Sequence, residues 1–252
     1  TMTPVEWIEK NLPKGARFGI DPWVHTPSDL RKIRDAVERA GGTLVLLDSN
    51  PLDAAWTAQP PAPLAPVVPH PLQYAGKASD VKRSELAAAL GAKNADALAI
   101  TLPEEICWLL NIRGGDVIRT PLPLGQAVVK ADGTAQVFLD PAKVTNELPG
   151  WLGDAVTLAA PEALPAALDA LSGQKVLIDP AVSSAWYFDR LEAAGASIVR
   201  GMDPCALPRA QKNEVEIEGS RQAHIRDGAA LTRFLHWVDT VAQNELPDER
   251  AV

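Results

Sequence analysis

The chain has 252 residues, of which 46% are hydrophobic, with 22 prolines, two cysteines and a formal charge of −8. That is enough apolar material for one large or two modest cores, and no uninterrupted apolar run reaches the roughly 18 residues a membrane span needs. The acidic balance and the lack of a concentrated basic face argue against nucleic acid as a partner. Cys107 and Cys205, far apart and without a C-x-x-C neighbour, define neither a disulfide framework nor a zinc site and are read as small core residues.

In chain order the first readable unit runs from Lys14 to Pro51. Phe18–Ile20 is a short β-prone run stopped by Pro22, which offers no backbone N–H to a ladder. Thr26 is placed to cap a helix with Pro27 at its first position and Asp29 at its positive end. Leu30, Ile33, Val37 and Ala40 share a face of that helix, and Gly41 is its stop. Leu44–Leu47, apolar at every position, reads as a buried strand of the parallel kind. The pairs Arg31-Lys32 and Lys82-Arg83 are read as solvated helix faces.

Gln59–Pro71 contains six prolines in thirteen residues, the composition of an extended, stiff connector, and a domain boundary is placed there. Ser79 is expected to cap a helix to Leu90 that turns Val81, Leu86, Ala89 and Leu90 inward. A buried strand at Ala95–Leu102 and a helix from Pro103 to Asn111 follow. Asp132-Gly133 between alternating apolar residues predicts a hairpin joining Gln126–Lys130 to Thr134–Leu139. Val156–Ala159 adds a strand, and Ala163–Leu171 a helix.

Gly173–Pro204 then repeats the first unit. Each copy has a strand ending in Ile-Asp-Pro (Ile20 to Pro22, Ile178 to Pro180), a helix closing at Ala-Gly (Ala40-Gly41, Ala194-Gly195) and a second strand. A polar residue before proline ends both (Asn50-Pro51, Asp203-Pro204). A strand–helix–strand unit predicts a parallel pair with a right-handed crossover.

Two segments carry a family likeness. Glu105-Ile106-Cys107-Trp108-Leu109-Leu110-Asn111-Ile112-Arg113-Gly114-Gly115-Asp116 is similar to the WLxNxRGxD stretch of the middle domain of three-domain aminopeptidases P, the Xaa-Pro aminopeptidases of the creatinase/prolidase superfamily. Lys212-Asn213-Glu214, Glu216 to Gly219, Arg221, Ala223 to Asp227 and Phe234 to Trp237 resemble the helix that leads into that family's pita-bread catalytic domain. Gly115 stands where the family often has serine.

The resemblance implies an α/β fold: a creatinase/prolidase N-terminal-like domain with a mixed β-sheet flanked by helices, preceded by a partial copy of itself and followed by a long C-terminal helix. The expected divisions are 1–58 for the partial copy, 59–71 for the linker, 72–207 for the second domain and 208–252 for the lead-in helix. It implies an interior piece of a metal-dependent, cytoplasmic, homodimeric aminopeptidase that releases a residue preceding proline. Two manganese ions are expected in a catalytic domain outside this chain, which is expected to contribute no catalytic residue, no metal ligand and no peptidase activity of its own. It implies that the 111–116 loop faces the catalytic mouth, with Asn111, Arg113 and Asp116 on the substrate side or at a domain contact. From the residues alone, Gly114 and Gly115 read equally as a helix stop, while the planar fork of Arg113 suits a carboxylate. A free-standing binding or assembly module, and a piece of a prolidase or creatinase, are the alternative readings.

Other candidates carry less. His224 with Asp227 and His236 with Asp239 invite a metal, but twelve residues at about 100° each put the two pairs roughly 120° apart around the helix. His25 and His70 are read as surface residues. Trp108, Trp151, Trp186 and Trp237 are read as core packing. No Gly-x-Ser-x-Gly elbow, P-loop or G-x-G-x-x-G supports a nucleophile or nucleotide site.

Overall fold

Both copies of the strand–helix–strand unit are present in the structure, a computed structural model that describes residues 2–242. Residues 243–252, the end of the anticipated 208–252 segment, lie outside the described residues. The first copy opens with helix α1 (Pro4–Asn11), held by a reciprocal Thr3–Glu6 capping box. Strand β1 (Arg17–Ile20), helix α2 (Pro27–Arg39), strand β2 (Thr43–Leu46) and a short helix α3 (Pro51–Ala55) follow. As anticipated, Thr26 caps α2, its hydroxyl accepting the Asp29 N–H at 3.2 Å. The unit's core joins Ile8 of α1 to Ala36 and Val37 of α2.

The anticipated connector has no regular structure until Val67, whose N–H reaches the Lys143 carbonyl at 2.8 Å. The second unit adds β3 (Val68–Pro69), α4 (Leu72–Ala75), α5 (Ser79–Ala92), β4 (Ala97–Ile100), α6 (Pro103–Leu110) and β5 (Ile112–Arg113). The hairpin strands are β6 (Gln126–Lys130) and β7 (Ala135–Phe138), turning at Gly133 with φ +82°. Then come α7 (Leu148–Leu152), β8 (Val156–Ala159), α8 (Leu164–Asp169), β9 (Lys175–Ile178), α9 (Ala185–Ala193), β10 (Ser197–Arg200) and α10 (Ala206–Ala210). Helix α11 (Glu214–Trp237) follows, passing into one π turn at Val238–Ala242, the last of the described residues.

A mixed sheet runs β10-β9-β4-β6-β7-β8, parallel at β10/β9, β9/β4 and β7/β8 and antiparallel on both sides of β6. Strand pleating divides its side chains between two cores. Leu98 and Ile100 of β4 face α5, α6 and α7, while Ala97 and Ala99 face α8 and α9. Each fully buried leucine or isoleucine here contributes roughly 1.5–3 kcal/mol by leaving water.

The duplication extends to single hydrogen bonds. Gly15 N–H donates to the Gly41 carbonyl at 2.8 Å and Gly173 N–H to the Gly195 carbonyl at 3.0 Å. Gly41 and Gly195 sit at φ +78° and +83°, a region that disfavours a side chain. The copies also meet each other: Trp23 packs edge-on against Trp186 and stacks on Tyr187, and the Ala185 N–H donates to the His25 carbonyl at 2.7 Å.

Four expectations are corrected. Strand β2 is not buried on both faces, and Leu46 is 37% exposed, because the two-stranded β1/β2 sheet is covered mainly by α1 and α2. Ser79 does not cap α5: Ala78 is the extended residue before the helix and Ser79 its first member. The face of α5 packed on α6 carries Lys82 with Leu86 and Leu90 at one-turn spacing, so Val81, expected inward, faces outward at 45% exposure. Lys82-Arg83 is therefore no solvated face, since Lys82 is 2% exposed and the Arg83 Nη1 donates to the Gly133 carbonyl at 2.6 Å.

Candidate functional site

The loop after α6 is built from helix termination. A helix end leaves its last carbonyls unpaired, and here named groups take them up. Asn111 turns the chain in the left-handed region at φ +51°, a conformation asparagine tolerates better than most side chains. The stop is thus Asn111, not Gly114 and Gly115. Its N–H donates to the Cys107 carbonyl, which also accepts the Arg113 Nη1 at 3.1 Å. Lys82 Nζ donates to the Trp108 carbonyl at 2.8 Å, and Trp151 Nε1 to the Asn111 carbonyl at 3.0 Å. Trp151 is 39% exposed, so its work is this hydrogen bond and not core packing.

Asn111 itself is buried and fully engaged. Its side-chain oxygen accepts Lys82 Nζ at 2.7 Å, and its Nδ2 donates to the Lys77 carbonyl at 2.9 Å. Asp116 is engaged as well. Its side chain is 0% exposed and pairs with Lys143 Nζ at 2.6 Å while accepting the N–H groups of Leu124 and Ala65. Burial works to raise the Asp116 pKa, but Lys143 and the two N–H donors outweigh it and hold the carboxyl below its ordinary value. Gly114 is required by proximity, since a Cβ there would lie 2.7 Å from the Pro123 ring.

Of the three residues singled out in this loop, Arg113 is the one that faces open space. Strand β5 pairs with β3, placing Val68 opposite Arg113. The guanidinium is half-buried and uses Nη1 for the Cys107 and Ile112 carbonyls, while Nε and Nη2 make no hydrogen bond among the described residues. It lines a cleft of about 690 Å³ with His70, Tyr74, Glu214, Glu216 and Gln222, between α4 and the start of α11. His70 is therefore part of this cleft and not simply a surface residue. Burial, reinforced by the charges of Arg113 and Lys82, draws its pKa below the ordinary histidine value. Burial lowers the Arg113 pKa as well, against the opposing charges of Cys107 and Glu216.

Helix α11 is anchored at its beginning. Asn213 and Glu216 form a capping box, and Asn213 Nδ2 donates to the Ala75 carbonyl at 2.9 Å. Further along, Ile225, Leu231 and Leu235 are exposed. His224 turns its Nδ1 to the Ser220 carbonyl at 2.8 Å on the same helix. Among the described residues no group of three or more His, Cys, Asp or Glu gathers as a metal site. A two-metal centre needs several carboxylates and a histidine converging, so these residues do not fit one.

Lys82, His70, Tyr74, Glu216 and Lys143 escaped the sequence reading as site residues. Lys82 left a trace in its helical spacing with Leu86 and Leu90, and Glu216 stood within the segment that carries the family likeness.

The profile of the Creatinase/Prolidase N-terminal domain matches residues 58–216. The "Probable Xaa-Pro aminopeptidase P" of Coccidioides posadasii (strain C735) is 33% identical over 98% of this chain and 39% of its own length. The protein of the same name from Ajellomyces capsulatus (strain G186AR) is 31% identical over 98% of this chain and 42% of its own. An X-prolyl aminopeptidase of Caenorhabditis elegans, described as a cytosolic enzyme with a di-nuclear active site, superposes with a TM-score of 0.85 at 26% identity. It covers 95% of this chain and 40% of its own. The chain thus spans about two-fifths of the length of these relatives, and it belongs to the creatinase/prolidase N-terminal domain family.

Proposed function

We propose that this chain is the non-catalytic part of a cytoplasmic, metal-dependent Xaa-Pro aminopeptidase, with division points near residues 58, 71 and 207. In this reading the whole protein removes an N-terminal residue preceding proline from peptides. Two manganese ions in a following domain supply the hydroxide and polarise the scissile carbonyl. This chain's own residues do not hold those ions. They form the wall of the substrate cleft, and the proteins pair as homodimers.

Arg113 is the substrate-side or interdomain contact, offering its free edge to a carboxylate. Asn111 and Asp116 belong to the same site by fixing the loop on either side of it. The single observation that carries the reading is alignment of nearly the whole chain with Xaa-Pro aminopeptidases P over about two-fifths of their length.

The test is hydrolysis of a peptide with proline second by the longer polypeptide carrying this chain. Activity is expected to require divalent metal, to vanish with a chelator, and to show a KM raised about tenfold by Arg113→Ala with kcat nearly unchanged. Metal-independent turnover refutes the reading, and an unchanged KM removes Arg113 from the substrate.

A further inference from the structure

Lys82 is a lysine at 2% exposure with no carboxylate in hydrogen-bonding contact among the described residues, an arrangement that calls for a reason. Its two hydrogen bonds both go to the end of α6: the Trp108 carbonyl at 2.8 Å and the Asn111 side-chain oxygen at 2.7 Å. The ammonium also lies 4.6 Å from the Trp108 ring centroid. A positive charge at a helix C-terminus complements the helix dipole. The contacted asparagine is the left-handed residue that redirects the chain, and Arg113 is two residues further on.

We propose that Lys82 is a positioning residue for Arg113: by clamping the last turn of α6 to α5 it fixes the Asn111 corner and so aims the guanidinium's free edge into the cleft. Neither Lys82 nor Asn111 lines the cleft, whereas Arg113 does, so Lys82 acts through Arg113. The inference deepens the reading of Arg113 as a substrate-side group and rests on it for its functional half only.

Burial pushes the Lys82 pKa down to about 8, against the opposing charge of Glu216 and with the help of Arg113 and Lys77; Cys205 is the other titratable group facing it. A neutral amine still has hydrogens for both acceptors, so the clamp is retained on either side of that pH.

The experiment has two arms. In the 252-residue chain, the side-chain Nε–H signal of Arg113 is followed by NMR, identified by its loss in Arg113→Lys. Lys82→Met is expected to move this signal toward that of a free arginine. Asn111→Gly keeps the left-handed corner but deletes one of the clamp's two acceptors, the one at the corner itself, and it is expected to move the signal the same way; should Lys82→Met fail to fold, Asn111→Gly decides alone. An Arg113 signal unmoved in the folded variants overturns the inference.

In the longer peptidase, Lys82→Met is expected to raise KM about tenfold with kcat within twofold, and to add nothing on top of Arg113→Ala. Additive effects would overturn it, because they would mean that Lys82 acts by another route. If Arg113→Ala leaves KM unchanged while the NMR signal still moves, the substrate reading fails and the positioning stands.

Discussion

Lys143 Nζ lies 2.6 Å from Asp116 Oδ2, and both side chains are almost wholly out of water. This pair ties the loop that follows Arg113 to the segment before α7, with the Leu124 carbonyl as a second acceptor for the ammonium at 3.1 Å. Removing one member of a buried pair leaves the other uncompensated, at a cost of about 3–5 kcal/mol. Asp116→Ala is therefore expected to lower the unfolding free energy by that amount in urea denaturation. Asp116→Ala combined with Lys143→Met is expected to recover part of the loss.

Gly76 closes α4 at φ +68°, and a Cβ there would fall 2.2 Å from the Asn213 side-chain oxygen. Gly76→Ala thus strains the corner and expels the residue that anchors α11. Hydrogen exchange is expected to show the first turn of α11 losing protection, while β4 and β9 keep theirs.

Trp23 is the first unit's main aromatic contact with the second, through Trp186 and Tyr187. Trp23→Ala is expected to cost roughly 1–3 kcal/mol and to act on the first unit alone. Limited proteolysis checks this: cleavage between residues 14 and 58 should accelerate and the 67–207 region should stay resistant.

The depressed pKa of Lys82 has a definite sign in stability. Its folded value is about 8 and its unfolded value near 10.5, so between those pH values the unfolded chain holds the extra proton. This lysine consequently adds stability as pH rises from 8 toward 10.5, in total on the order of 3 kcal/mol at 1.36 kcal/mol per unit. The buried thiols work in the opposite sense, since burial pushes Cys107 up to about 12 and also raises Cys205. The difference between the wild-type chain and Lys82→Met isolates the lysine. Denaturation at pH 7 and pH 10 should show a smaller rise, or a larger fall, in the variant.

Much of the fold could be read from the residues because its punctuation is local. Pro22, Pro180, Gly41, Gly195 and Asp132-Gly133 impose backbone geometry wherever they stand, and the elements they bound were anticipated closely. The strand–helix–strand repeat followed from these marks. What the sequence concealed was burial, which depends on partners distant in the chain. Leu44–Leu47 has the composition of a doubly covered strand, yet its second face lacks a covering layer. Lys82 has the composition of a solvated helix face, yet it shares a face with Leu86 and Leu90, and packing of that face turns it inward to the end of α6. The candidate site divided in the same way. Arg113 was visible as a fork beside glycines, whereas the engagement of Asn111 by Lys82 and of Asp116 by Lys143 joins residues 27 to 29 positions apart.

In the proposed reading this chain forms a wall of an aminopeptidase's cleft and not its reaction centre. Incubating the purified 252-residue chain with manganese and a peptide bearing proline at its second position tests this most directly. Release of the first residue no faster than with manganese alone is the predicted result. Turnover above that blank, lost on adding a chelator, would place a reaction centre in this chain and rule the proposed role out.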